Sequence, residues 1–265
     1  MSGAIILMYH IIDAPRTAQE AKYCCSPRNF EKQMRFLRTA GFRVAALDTL
    51  LSALDEEGEV QDNMVAVTFD DGFVCAHDTA LPVLRQHGIP ATIFVPSDRI
   101  GKSNDWMRSH ATAPRALLSV AQMRELDRAG ITVGSHTRTH PRLTEIGAAR
   151  VADELRGSKT ALEQILGKRV NYFAYPFGLC DEVIRDEVER AGYRAACSTR
   201  SGFNRGTVDR FLLRRIEIYG SDSMSGFRRK LKFGANDVSP LYPLRYYAGR
   251  LAARTGLNRA GQGDA

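Results

Sequence analysis

Short apolar runs alternate along this chain with longer stretches whose apolar residues recur every three or four positions, and that rhythm constrains the fold most. The runs Ala4–Tyr9, Met64–Phe69, Ala91–Val95, Ile131–Gly134, Tyr172–Ala174 and Ala195–Ser198 predict strands, with a further pair at Phe42–Ala45 and Leu212–Ile218. Helix ends are legible between them. Ser26 caps a helix that opens at Pro27 and stops at Gly41, and Ser119 caps one ending at Gly130. Thr144 opens a long one ending near Gly167, and Asp181 begins another stopping at Gly192. Phe30, Met34 and Leu37, or Val183, Ile184 and Val188, supply the apolar faces. Parallel neighbours need a long crossover, usually a helix, so this order implies parallel pairing. At 265 residues, such strands fit one barrel or an open doubly wound sheet.

No repeat or Ser/Gly linker divides residues 1–220, and the strand signal stops after Gly220. Residues 223–233 and 241–255 read as basic helices and Gly261–Ala265 as a frayed end. The expected division is therefore an α/β domain over 1–220 and a basic helical extension over 221–265. Residues 1–204 hold 25 Lys+Arg and 25 Asp+Glu, while 205–265 hold 12 and 5, so the net +7 lies in the last quarter. Such an excess points to an acidic surface, with a solvated tail as the alternative. On a helix Leu244, Tyr247 and Leu251 would share one face, with Arg245 and Arg250 elsewhere. That pattern resembles an interfacial helix, so the expected contact is peripheral, at a membrane, and not a nucleic acid. Packing of this tail against the domain is the competing reading.

Hydrophobic residues make up 44% and charged ones 25%, which excludes disorder, collagen-like repeats and a disulfide miniprotein. No window of eighteen apolar residues predicts a spanning helix. Met1–Tyr9 is apolar but short and lacks a positive leading region, so the expected location is the cytoplasm, peripheral at the inner membrane face. Cys24, Cys25, Cys75, Cys180 and Cys197 form no C-x-x-C pair and are expected as reduced thiols.

Three segments just past strand ends carry chemistry. In Thr68-Phe69-Asp70-Asp71-Gly72 two carboxylates precede a glycine. Neighbouring side chains on a continuing strand diverge, but an abrupt turn at Gly72 lets both converge. Side by side, they ionise together readily only around a cation, one binding it and the other left as a base. The alternative is that Asp71 caps a helix starting near Phe73. In His136-Thr137-Arg138-Thr139-His140 two of the six histidines lie four apart, the spacing of one helical turn and of two imidazoles on one zinc. Solvated histidines are the alternative. One Asp with two His gives three ligands and an open position, where a water would acidify towards a pKa of ~7. In Tyr175-Pro176-Phe177-Gly178 a tight turn can aim backbone N–H groups at an oxyanion, although aromatic turn residues often only pack.

Together these segments resemble the polysaccharide deacetylases, the NodB-homology family of carbohydrate esterases (carbohydrate esterase family 4). The family's T-F-D-D-G, H-[ST]-x-x-H and aromatic-Pro-aromatic-Gly segments stand here in order, at Thr68–Gly72, His136–His140 and Tyr175–Gly178. The resemblance covers roughly residues 4–218 and implies a distorted (β/α) barrel of about seven parallel strands. It also implies Asp70 as general base, Asp71, His136 and His140 as ligands of a zinc or other divalent transition-metal ion, and N–H groups near Phe177 as the oxyanion hole. The implied reaction is hydrolysis of an N-acetyl group from an amino sugar of a polysaccharide or its lipid-linked precursor. A related hydrolase of a small non-sugar amide and a non-catalytic carbohydrate- or membrane-binding relic are the alternatives.

Two departures stand out. Many members open the third segment with an arginine that orients the catalytic Asp, where this chain has Ala174; Arg214 or Arg215 is expected to supply the guanidinium. The late Leu-x-x-His source of the general acid is missing, because no histidine follows His140. The opening Leu7-Met8-Tyr9-His10-Ile11 is similar to poly-N-acetylglucosamine deacetylase-like members, which makes His10 the expected acid. Trp106, the single tryptophan, is a candidate for stacking on a sugar, with core packing as the alternative. His77, His87 and His110 have weaker claims, and His77 and His87, on or after the helix following Asp71, are expected in surface or capping roles.

Overall fold

A computed structural model describes residues 3–55, 63–110, 113–206, 208–237, 239 and 241–242. The strands are β1 (Ile5–Tyr9), β2 (Arg43–Val44), β3 (Met64–Phe69), β4 (Ala91–Val95), β5 (Thr132–Ser135), β6 (Tyr172–Ala174), β7 (Ala195–Cys197) and β8 (Ile216–Glu217). The helices are α1 (Pro27–Thr39), α2 (Leu47–Asp55), α3 (Leu81–His87), α4 (Val120–Arg128), α5 (Ala148–Leu166), α6 (Glu182–Arg190) and α7 (Met224–Phe233). Seven parallel strands run β7-β6-β5-β4-β3-β1-β8 as a curled half-barrel, and β2 adds to the start of β3. The chain entering β8 bridges β7 at Cys197 and Leu213, so residues 213–217 tie both ends of the sheet. The alternation predicts this parallel α/β order, and of the barrel and open sheet it left open the chain takes the barrel-like form that the resemblance implies.

Strand alternation builds two layers of core. Ile5, Leu7 and Tyr9 of β1 and Val65, Val67 and Phe69 of β3 face the helices. Ile6, Met64 and Ala66 face the interior, together with Phe94 and Tyr172. Continued past the strand ends, the inward phase reaches Asp70 and His10. Helix α2, absent from the sequence reading, fills the same interior with Leu47, Leu50, Leu51 and Leu54. Burying each leucine contributes roughly 1.5–3 kcal/mol.

The helix caps form as expected: Ser26 Oγ accepts from Asn29 N at 3.2 Å, Ser119 closes a capping box with Gln122, and Asp181 accepts from Ile184 N at 2.8 Å. The long helix starts later than Thr144. Residues 143–145 close a separate 3-10 turn, and Gly147, in extended backbone, precedes Ala148. Asp71 caps nothing, since the next helical turn begins at Ala76 behind Cys75.

Helix α7 packs on α1 through Phe227 and Phe36, whose ring centroids lie 6.2 Å apart. Its Lys230 is fully buried, donating to Glu217 O at 2.7 Å and pairing with Asp222. Part of the late basic excess is therefore internal. The expected amphipathic pattern of 244–251 lies outside the described residues. Among the described residues no helix is long and apolar enough to cross a membrane. All five cysteines are free thiols.

Candidate active site

The strand β3 delivers Asp70 and Asp71 to the C-terminal mouth of the half-barrel. Asp70 N donates to Tyr9 O at 2.9 Å, extending the β1–β3 ladder by one residue. Asp71 (φ 71°) and Gly72 (φ 69°) then take left-handed backbone, which turns the chain hard enough to bring both carboxylates into one cavity. A Cβ on Gly72 would meet Val95 Cγ1 at 3.2 Å, so the turn also sits close against β4.

The two histidines meet by a route other than the predicted helical turn. Residues 136–140 form a bent loop after β5, with Thr137 (φ 67°) and His140 (φ 63°) in left-handed backbone. Doubling back places the imidazole centroids 4.8 Å apart. His136 Nδ1 lies 2.7 Å from Ala174 O, and a carbonyl only accepts, so this nitrogen carries a proton and Nε2 is the ring nitrogen turned to the site. Nε2 of His136 and of His140 lie 3.4 and 3.2 Å from the same Asp71 Oδ1. One donor atom from each of the three residues lies within 4.8 Å of the others. All three side chains are buried. Burial pushes the His140 pKa down and keeps the ring neutral, as a metal ligand must be. Burial alone would raise Asp71, but its contacts with His136 and His140 hold it well below the usual carboxylate range. Two imidazole nitrogens and one carboxylate oxygen, oriented by a carbonyl behind His136, fit a divalent transition-metal ion with a position left open.

Asp70 faces a different partner. Arg215 Nη1 and Nη2 donate to Asp70 Oδ1 and Oδ2 at 2.6 and 2.7 Å, and its Nε donates to Ser198 O at 2.9 Å. Burial pushes the Asp70 pKa up, the neighbouring guanidinium pushes it down, and the net position is below the ordinary carboxylate value. Arg214 is corrected out of the site: it is exposed, and its guanidinium reaches Ser201 O. Adjacent residues on an extended chain take opposite faces, so only one arginine points inward.

The third segment contributes through its backbone. Tyr175 borders the cleft, yet its hydroxyl donates to Phe211 O at 2.9 Å and its N–H to Cys197 O at 3.2 Å, so neither reaches a substrate. Gly178 N–H donates to Tyr175 O and Leu179 N–H to Pro176 O, and proline has no N–H. The uncommitted donor of the turn is Phe177 N–H. Phe177 itself is left-handed (φ 58°), with its ring edge on His140 at 4.7 Å.

A cleft of about 260 Å³ joins Asp70, Asp71, His136, His140, His10 and Trp106. His10, one residue past β1, has an unpartnered Nδ1 and a ring 5.2 Å from Tyr23. Trp106 is half-buried and stacks on His140 at 4.4 Å and 21°. His77 lies apart, between Asp78 and Glu125. Glu217 also lines the cleft and was missed, although alternation from Arg215 puts it on the same face.

A family model described as polysaccharide deacetylase matches residues 57–196. The chain belongs to this family. The matched span contains the Asp70-Asp71 turn, the His136–His140 loop and the 175–178 turn, and leaves out His10 and Arg215. Over 221 residues the chain is 27% identical to YxkH of Bacillus subtilis (strain 168), covering 83% of this chain and 72% of that protein. It is 23% identical over 182 residues to a poly-β-1,6-N-acetyl-D-glucosamine N-deacetylase of Staphylococcus aureus (strain MSSA476), covering 65% of this chain and 60% of that one. The polysaccharide deacetylase fold is shared with the Streptococcus pyogenes deacetylase PplD, solved in complex with acetate: the TM-score is 0.74 at 23% identity, over 88% of this chain and 98% of that chain.

Proposed function

We propose that the protein is a metal-dependent hydrolase that removes N-acetyl groups from an amino sugar of a polysaccharide or its precursor. The observation that carries this reading is the division of two adjacent carboxylates, Asp70 on Arg215 and Asp71 on two imidazoles, within one cleft. The family match and the activity named for the staphylococcal relative support it.

Asp71, His136 and His140 would hold the ion, and their N/O donor set favours zinc. A divalent ion bound there supplies Lewis acidity, lowering the pKa of a water and polarising the amide carbonyl. Asp70, fixed in plane by Arg215, takes the proton from the attacking water. Phe177 N–H donates to the oxyanion that develops on the carbonyl oxygen. His10 gives a proton to the departing nitrogen as the C–N bond breaks, leaving acetate and the free amine of the sugar. Trp106, Phe177 and Tyr23 line the cleft with aromatic surface, which favours a sugar over a small non-sugar amide.

The test is acetate release from N-acetylglucosamine oligomers by the full chain, before and after chelation and after zinc is restored. Release that stops on chelation and returns with zinc supports the reading. Release that survives complete metal removal, or none with metal bound, overturns it.

A further inference from the structure

We infer that Glu154 is the positioning residue for the loop that carries both imidazoles, and that it thereby sets how tightly the site holds its metal. The inference rests on the metal-dependent reading above.

Glu154 sits on α5 and is 3% exposed. Its Oε2 accepts from the N–H groups of Arg138 and Thr139 at 2.8 and 2.9 Å, and its Oε1 from Thr139 Oγ1 at 2.5 Å. Arg138 and Thr139 are the middle of the loop whose ends are His136 and His140. One carboxylate therefore gathers the centre of the span between two ligands. The guanidinium of Arg138 turns away, to Asp98 and Asp153, so the donors on Glu154 are those of the loop backbone and one hydroxyl.

A loop of this shape needs such a hold. Thr137 and His140 are both non-glycine residues in left-handed backbone, which persists only where the surroundings over-determine it. The outer edge is tied by Ser97 N to Thr137 O at 3.0 Å and Asp98 N to Arg138 O at 2.9 Å. His140 N donates to Thr137 Oγ1 at 3.0 Å. Glu154 adds the inner hold, and Ser135 and Ser158 hydroxyls 2.8 Å apart fasten the same helix to the strand before the loop. A buried carboxylate is costly without donors, and all three donors come from the metal-bearing loop.

Metal affinity is the direct readout, measured on the full chain by competition between a chromophoric chelator and Zn(II) or Co(II). Glu154→Gln keeps the shape but offers the loop one acceptor oxygen in place of two. It is expected to weaken binding ~10–100-fold, the range for a group that orients a ligand, and to alter the visible spectrum of bound Co(II). Asp153→Asn, one residue away but touching only the Arg138 side chain, is expected to bind within about twofold of the parent. Should Glu154→Gln not fold, Thr139→Val removes one loop donor and is expected to weaken binding several-fold. Parent-like affinity in Glu154→Gln or Thr139→Val overturns the role of Glu154 alone. A parent chain that binds neither ion overturns the metal-dependent function as well.

Discussion

The guanidinium of Arg215 meets the carboxylate of Asp70 edge to edge, at 2.6 and 2.7 Å, and both side chains are buried. Strand β1 lies between β3 and β8, so this arginine reaches across a strand to hold the carboxylate. Removing one partner of a buried pair strands the other, at a cost of about 3–5 kcal/mol. Arg215→Met is therefore expected to lose roughly that much stability in urea unfolding and nearly all acetate release. Arg214→Met should change stability by no more than about 0.5 kcal/mol and stay active. Equal effects of the two substitutions would reject Arg215 as the orienting residue.

Asp70→Asn separates base from ligand. The rate of acetate release is expected to fall ~10²–10⁴-fold, the range for a lost general base, while the folded fraction still takes up one metal ion per chain. Asp71→Asn should lose the ion. If the two variants show the reverse pattern of metal content, the roles of the carboxylates are exchanged.

His10→Gln tests the acid. With Nδ1 unpartnered at the cleft, the ring holds no visible structural bond through that atom. Metal content and stability should stay near those of the parent, and the rate should fall ~10²–10⁴-fold. A variant that releases acetate near the parent rate would leave His10 as a rim residue.

Much of this site is legible from strand phase and punctuation. Ser26, Ser119 and Asp181 cap helices because their side chains satisfy N–H groups close in sequence. Asp70 and Asp71 follow a six-residue strand whose ends are marked. The choice between Arg214 and Arg215 was not legible, because β8 spans only Ile216–Glu217 and too short a strand has no readable phase. The His136–His140 spacing predicts a helical turn, because nothing in H-T-R-T-H announces positive φ at Thr137. Helix α2 did carry a signal, with Leu47, Leu50, Leu51 and Leu54 at helical spacing. Glu154 had none: it is one acid among several on an amphipathic helix, and its partners lie 15 and 16 residues away.

His77 gives the fold a measurable pH dependence away from the cleft. Partial burial disfavours its charge, but Asp78 at Nδ1 and Glu125 at Nε2 outweigh that and raise its pKa above the ordinary value. A raised folded pKa means stability that is fully present below the unfolded pKa of ~6.5 and lost as pH rises through the folded value. Because both carboxylates are more than half exposed, the effect should stay within about 1 kcal/mol. Melting temperatures between pH ~5 and ~9 should therefore fall less steeply in His77→Gln than in the parent. Parallel curves would show that the bridge contributes nothing.

Gly178→Ala tests whether the 175–178 turn works through its backbone. Gly178 is left-handed (φ 70°), and a Cβ built there would overlap Thr199 Oγ1 and come 2.8 Å from Thr199 Cβ. Contacts that short force the turn to move, and with it the adjacent Phe177 N–H. Losing one oxyanion donor costs ~10²–10³ in kcat, about 2.7–4 kcal/mol, so Gly178→Ala should fall by that factor. The metal should still be bound, because Asp71, His136 and His140 come from other turns and only the Phe177 ring edge touches a ligand, His140. Adding Thr199→Ala removes the Oγ1 and Cγ2 contacts but keeps the Cβ contact and the positive φ, so the double variant should recover only part of the rate. A Gly178→Ala protein turning over near the parent rate would show that the N–H of Phe177 does not face the reacting carbonyl.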